Sequence, residues 1–168
     1  MDEPKLMSTI FSRFCNIINA VSDESISVID DYTDWLETKT KLTFGMNPDK
    51  NFAIVNNSIY WAHLGYNIGS EEGKHRPVLV TRTSLKSPIC TVIPLTTQRL
   101  NDGYWYHIDL ESMNSTALVE QMRIIDKRRI DRPKRKNGKI LSISEKDWNS
   151  INSQIISVYE LKPLKTTN

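Results

Sequence analysis

Cysteine and histidine are scarce in this chain. The two cysteines, Cys15 and Cys90, are far apart and fit neither a zinc nor a redox spacing, which leaves two ordinary thiols in a reducing, cytoplasmic setting. The three histidines, His63, His75 and His107, lie on different segments, so a metal site would have to be assembled by folding alone; none is expected, nor is any cofactor. HExxH and CxxC motifs, a nucleophile elbow and a phosphate-binding glycine fingerprint are all absent. No apolar run approaches the roughly 18 residues that span a bilayer, so no membrane partner is expected. The first residues, MDEPKLMSTIFSRF, lack a basic stretch followed by an apolar core, which argues against a secretory leader.

What the chain does have is an ordinary globular composition, 39% hydrophobic and 25% charged, enough for a real core and against disorder. Its net charge of +2 is unevenly spread: residues 1–57 sum to −4 and residues 58–168 to +6. A basic body behind an acidic leader suits an anionic ligand, nucleic acid first, although ordinary surface charge explains it equally well.

Residues 1–50 read as a helical extension and linker, and residues 51–168 as the body. Ile10, Phe11, Phe14, Ile17, Ile18 and Val21 fall three and four apart, and Val28, Ile29, Tyr32, Trp35 and Leu36 share a second helical face. Ser22 and Asp23 are placed to cap the second helix. Residues 44–51, FGMNPDKN, read as a linker. So small a helical pair cannot bury its own stripes well, so docking on the body or a partner is expected. Short strands are then expected at 58–64 (SIYWAHL), 76–83 (RPVLVTRT), 90–95 (CTVIPL), 104–110 (YWYHIDL) and 117–126 (ALVEQMRIID). Short turns separate them, which points to an α+β fold built on a small antiparallel barrel or curled sheet. A last helix is expected over 144–161, with Ser144 and Asp147 as a capping-box-like start.

Metal-free chemistry on an anion leans on arginine, lysine, hydroxyls and backbone N–H groups. Arg76 stands where the charged, glycine-containing run GSEEGKH meets an apolar strand. Its guanidinium can grip a phosphate with two parallel hydrogen bonds, and Pro77 biases it toward extended geometry. Equally, it can be a strand-end arginine paired with Glu71 or Glu72. Thr96 and Thr97, in PLTTQ, are the hydroxyls placed to converge with it, or simply good strand residues. Tyr104, Trp105 and Tyr106 can offer a stacking face for unpaired bases, though alternation sends at least one of them into the core. Lys127, Arg128, Arg129, Arg132, Lys134, Arg135, Lys136 and Lys139 form the densest basic run, either a phosphate-tracking patch or a solvated loop.

Taken in order, four blocks resemble the MazF/PemK toxins of bacterial type II toxin–antitoxin systems. SIYWAHL resembles their first strand, with His63 where an aspartate is common. GSEEGKHRPVLV resembles their GSEQGG-x-RPVLV signature, with Glu72 for glutamine and Lys74 for the second glycine. VIPLTTQ and LVEQMRIIDKRRI are similar to the strand end that carries the family threonine and to the EQIRTID-x-x-RL block. The resemblance covers about residues 57 to 161. It implies an SH3-like barrel (MazF/CcdB-like) with a C-terminal helix, here with an N-terminal helical extension. It also implies a homodimer, a cognate antitoxin through which DNA is bound, and metal-independent cleavage of single-stranded RNA at short sequences to a cyclic phosphate and a 5′ hydroxyl.

Residue by residue, the resemblance makes Arg76 and Thr96 the catalytic pair. His75 is a candidate acid or base, because imidazole titrates near neutrality. Gly69, Ser70, Glu71, Glu72, Gly73 and Lys74 become the substrate loop, stiffened where Lys74 replaces glycine. Thr97, Gln98, Gln121, Arg123, Lys127 and Arg128 become RNA-binding residues. An acidic arm that covers the basic body would limit RNA access, as the acidic segment of an antitoxin does. Two other readings belong to different classes: a non-catalytic RNA- or protein-binding module on the same barrel, and a gyrase-poisoning toxin of the related fold. The gyrase poison has no use for the Arg76 and Thr96 pair.

Overall fold

The helical stripes and the alternating runs fall in different units, Met1–Asn47 and Pro48–Asn168. The structure is a computed structural model that describes residues 3–20, 26–46 and 50–160.

The first unit holds α1 (Glu3–Asn19) and α2 (Ile26–Thr43). Both helices are amphipathic and their stripes are only partly covered: Met7, Ile10, Phe11 and Ile17 on α1 and Val28, Tyr32 and Leu36 on α2 are exposed, while Phe14, Ile18, Ile29 and Trp35 are half-buried and Leu42 is buried. Glu37 and Lys41, one turn apart on α2, pair at 2.5 Å. Val21, the expected caps Ser22 and Asp23, and linker residues 47–49 lie outside the described residues. Among the described residues, no helix is long and apolar enough to cross a membrane.

The second unit is an antiparallel sheet with one helix. Its strands are β1 (Ser58–Gly65), β2 (Lys74–Thr83), β3 (Ile89–Thr96), β4 (His107–Leu110), β5 (Ser115–Leu118), β6 (Arg123–Asp126) and β7 (Ile130–Pro133). A small ribbon of β8 (Arg135–Lys136) and β9 (Lys139–Ile140) follows, and then α3 (Glu145–Tyr159). The strand order is β4-β5-β3-β2-β1-β7, with β6 also on β3. The expected barrel is an open one: no pairing among the described strands joins β7 to β4.

Alternation produces two cores. Tyr60, Ala62, Val78, Val80 and Val92 point to one face. Ile59, Leu79, Ile93, Leu95 and Ile151 of α3 fill the other. Ser144 caps α3 by accepting from Asp147 N–H, as its sequence position suggests.

Two expected strands differ. The 104–110 run begins only at His107, because Asp102 Oδ1 accepts from Tyr104 N–H and turns the chain before the strand. The 117–126 run is one partner of β3 broken by a 3-10 turn, Val119–Gln121. Leu95 faces Ala117 and Val92 faces Arg123, so the partner inserts three extra residues there. That insertion lifts Gln121 out of the ladder toward Ser70 and Glu72, and Glu120 toward His107.

Candidate active site

Strand register assembles the site. Val78 faces Pro94 in the last pair of the β2–β3 ladder, and Arg76 and Thr96 each lie two residues beyond it on the same side of the alternation. Thr96 faces Thr116 on β5, and Thr116 faces Asp109 on β4. Thr96, Thr116 and Asp109 therefore form a polar row across β3, β5 and β4, in which Thr116 Oγ1 donates to Asp109 Oδ1 at 2.5 Å. On the other side of Arg76 its partner is Ala62, whose methyl group leaves room for a guanidinium.

Arg76 is held from its own loop. Its Nε donates to Gly73 O at 2.7 Å, and its Nη1 pairs with the Glu72 carboxylate. Their side chains are 23% and 18% exposed, so the pair is largely withdrawn from solvent. Arg76 is thus a strand-end arginine paired with Glu72, one of the two readings that its sequence position offers. Thr96 Oγ1 accepts from Gln98 N–H at 3.2 Å, which leaves its own proton to donate.

The loop is tied to the 3-10 insertion. Gln121 Oε1 accepts from Glu72 N–H at 3.0 Å, and Gln121 Nε2 donates to Ser70 O at 3.1 Å. Arg123 Nη2 donates to the same Oε1 at 3.1 Å and so fixes the amide orientation. Asn67 Nδ2 donates to Glu72 O at 2.7 Å. Gly73 is buried for lack of space rather than for backbone freedom: an added Cβ would lie 2.6 Å from Gly65 O. Lys74 keeps a left-handed φ of 61°, so this position retains the conformation a glycine favours although the glycine is gone. Gly69, with φ 59° and open space around it, is the point that depends on backbone freedom.

Other expected site residues lie elsewhere. His75 alternates with Arg76 and so faces away from it, stacked on His63 at 4.4 Å and on Trp61 at 5.3 Å. Burial, then the neighbouring His75, pushes the His63 pKa below its ordinary value. Lys127 Nζ donates to Ser84 O at 2.6 Å, just past the far end of β2, roughly 25 Å along the strand from Arg76. Arg128 grips Asp126 with Nε and Nη2, each at 3.0 Å. Neither shares the Arg76 site. Thr97 and Gln98 are exposed just beyond Thr96. Tyr104 and Trp105 are exposed too, with Tyr104 stacked on Tyr106 at 5.4 Å.

A profile of PemK-like, MazF-like toxins of type II toxin–antitoxin systems matches residues 56–159. The chain belongs to this toxin family. Over 86 residues, 46% of this chain and 74% of the relative, it is 31% identical to endoribonuclease EndoA of Bacillus subtilis (strain 168). Its fold is similar to that of MazF from Deinococcus radiodurans in crystal Form-I, with a TM-score of 0.54 at 16% identity, covering 66% of this chain and all of that one. All four sequence blocks fall within the matched span of this PemK/MazF domain.

Sequence reading missed two supports of the site. Asn67 gave no signal beyond being an amide in a turn. The other is a bridge from the aromatic loop to the insertion: His107 Nδ1 lies 2.7 Å from Asp102 Oδ2, and Nε2 lies 3.2 Å from Glu120 Oε1. Burial pushes the Asp102 carboxyl up, but hydrogen bonds from Tyr104 N–H and His107 outweigh it and hold the pKa low.

Proposed function

We propose that this toxin is an endoribonuclease that cuts single-stranded RNA at short sequences without a metal. Arg76 and Thr96, each two residues beyond the last β2–β3 pair, carry the reading. In the proposed reaction the 2′ oxygen attacks the adjacent phosphorus and loses its proton, and the bond to the 5′ oxygen breaks and takes up a proton. The products are a 2′,3′-cyclic phosphate and a 5′ hydroxyl. The nucleophile is part of the substrate, so no metal-bound water is required. Arg76 stabilises charge on the phosphorane, with the Thr96 hydroxyl as a second donor. Arginine is a poor base, since its pKa is above about 12, so proton removal falls to another group. His75 faces the wrong way for that task. Gln121 and Arg123 hold the substrate loop, and exposed Tyr104 and Trp105 suit stacking of splayed bases.

The catalytic part is the body, 51–168, working as a homodimer restrained by an antitoxin, and residues 1–50 are an appended arm. The division of contacts at Asn47 supports that boundary. A mixed-sequence RNA incubated with the protein in EDTA tests the reading. Wild type should yield cyclic-phosphate ends, and Arg76→Ala should fall at least 100-fold. An inactive wild type would overturn the function and favour a non-catalytic binding module. An active Arg76→Ala would overturn the assignment of Arg76.

A further inference from the structure

On the opposite face of the sheet from Arg76, folding assembles what the histidine spacing did not promise. His63 and His75 are register partners on β1 and β2. Asp131 is the extra residue of a β7 bulge, between the pairs Trp61–Arg132 and Ala62–Ile130. A bulge re-aims a side chain, and this one turns the carboxylate toward the two imidazoles. One ligand atom from each residue lies within 4.8 Å of the others. We propose that His63, His75 and Asp131 form a binding site for a divalent transition metal of the zinc class.

Three observations support it. His75 Nε2 is buried and makes no hydrogen bond, although Asp131 Oδ2 lies 3.2 Å away out of alignment. An unsatisfied buried nitrogen is costly, and a metal would satisfy it. The donor set of two imidazoles and one carboxylate suits zinc, nickel or copper and disfavours magnesium and calcium, which prefer all-oxygen shells. The size also fits. Ligand bonds of about 2.0–2.1 Å bring donors roughly 3.3 Å apart in a tetrahedron, which side-chain rotation reaches from the present spread. His75 and Asp131 are about one-third exposed, so water can complete the shell.

The surroundings set the strength. Arg132 Nη1 donates to Asp131 Oδ2 at 2.7 Å, which orients the carboxylate but opposes a cation. Arg129 Nη1 binds the carbonyls of His63 and Leu64 and adds a second positive charge nearby. Binding is therefore weaker than in a closed structural zinc site. It does not depend on the nuclease reading, because Arg76 is on the other face.

The test is calorimetric titration of the metal-free full chain with ZnCl2 and, separately, MgCl2. One zinc ion should bind per chain, with no magnesium uptake. His63→Ala and Asp131→Asn should each weaken zinc at least tenfold, and Arg76→Ala should leave it unchanged. Histidine ring signals in the wild-type NMR spectrum give a readout that needs no variant: zinc should shift His63 and His75 and spare His107. Absence of zinc binding, equal binding of magnesium, or shifts confined to His107 would overturn the site. RNA cleavage in EDTA is a separate readout, so either proposal can fail alone.

Discussion

Replacing Glu72 with glutamine should make the enzyme faster. In the described state the Glu72 carboxylate occupies the Arg76 guanidinium, while Gly73 O takes its Nε. A substrate phosphate must displace that carboxylate before it can use the same fork. The pair is less than a quarter exposed, so it exceeds the 0.2–1 kcal/mol of an open surface pair; about 1.5 kcal/mol is reasonable for a charged hydrogen bond so placed. Glutamine keeps the length and one neutral hydrogen bond, which recovers about 0.5 kcal/mol. The difference, about 1 kcal/mol, corresponds to roughly a fivefold rise in kcat/KM. The loop itself should hold, because its tie to Gln121 runs through the Glu72 backbone N–H. Initial rates on a short fluorescent RNA at two salt concentrations measure the effect, and the gain should shrink as salt screens the removed charge. A Glu72→Gln enzyme as slow as wild type, or slower, would refute displacement and make the carboxylate a participant in the chemistry.

Four further outcomes follow from the loop, the buried Asp147 and the division of the chain. Gly73→Ala forces a Cβ to 2.6 Å from the Gly65 carbonyl, so the loop must move; cleavage should fall tenfold or more while the melting temperature falls only a few degrees. Asp147 is 2% exposed and accepts from Glu111 N–H, Ser112 N–H and Ser112 Oγ. Asp147→Ala should therefore cost about 2–4 kcal/mol in urea denaturation. Burial raises the Asp147 pKa, but the bonds from Ser112, Glu111 and Ser144 outweigh it and hold the value below the ordinary 3.8. Its stabilisation is then complete above about pH 4 and lost as pH falls through the lowered value, so the urea midpoint of wild type should drop more steeply below pH 4 than that of Asp147→Asn. Removing residues 1–47 should leave the melting temperature nearly unchanged, because both core clusters and the residues packed on them lie between Phe52 and Val158. A rise in RNA cleavage at low salt alone would assign the acidic arm a gating role.

The strands that alternate cleanly were legible because two opposed cores impose a period of two on β1, β2 and β3. The run 117–126 was legible as apolar but not as broken. Periodicity reports burial, and Val119 is fully buried inside the 3-10 turn just as it would be in a strand. The expected strand over Tyr104–Tyr106 failed for the opposite reason: aromatic residues favour strands, but an Asx turn at Asp102 and exposure of Trp105 override that preference.

The site divides along the same line. The strand positions of Arg76 and Thr96 were legible, Arg76 near the start of β2 and Thr96 at the end of β3. Glu72 was legible as a charge neighbour four residues before Arg76, and the two pair as the strand-end reading expected. His63, His75 and Asp131 could not be read together. The β1–β2 register brings the first two within stacking distance, but Asp131 reaches them only because β7 carries a bulge. A one-residue bulge reverses the face of a side chain, and Asp131 sits in a basic run whose composition points toward phosphate rather than metal. Neighbouring residues of β2 therefore face opposite sides of the sheet, Arg76 paired with Glu72 on one and His75 stacked on His63 beside Asp131 on the other.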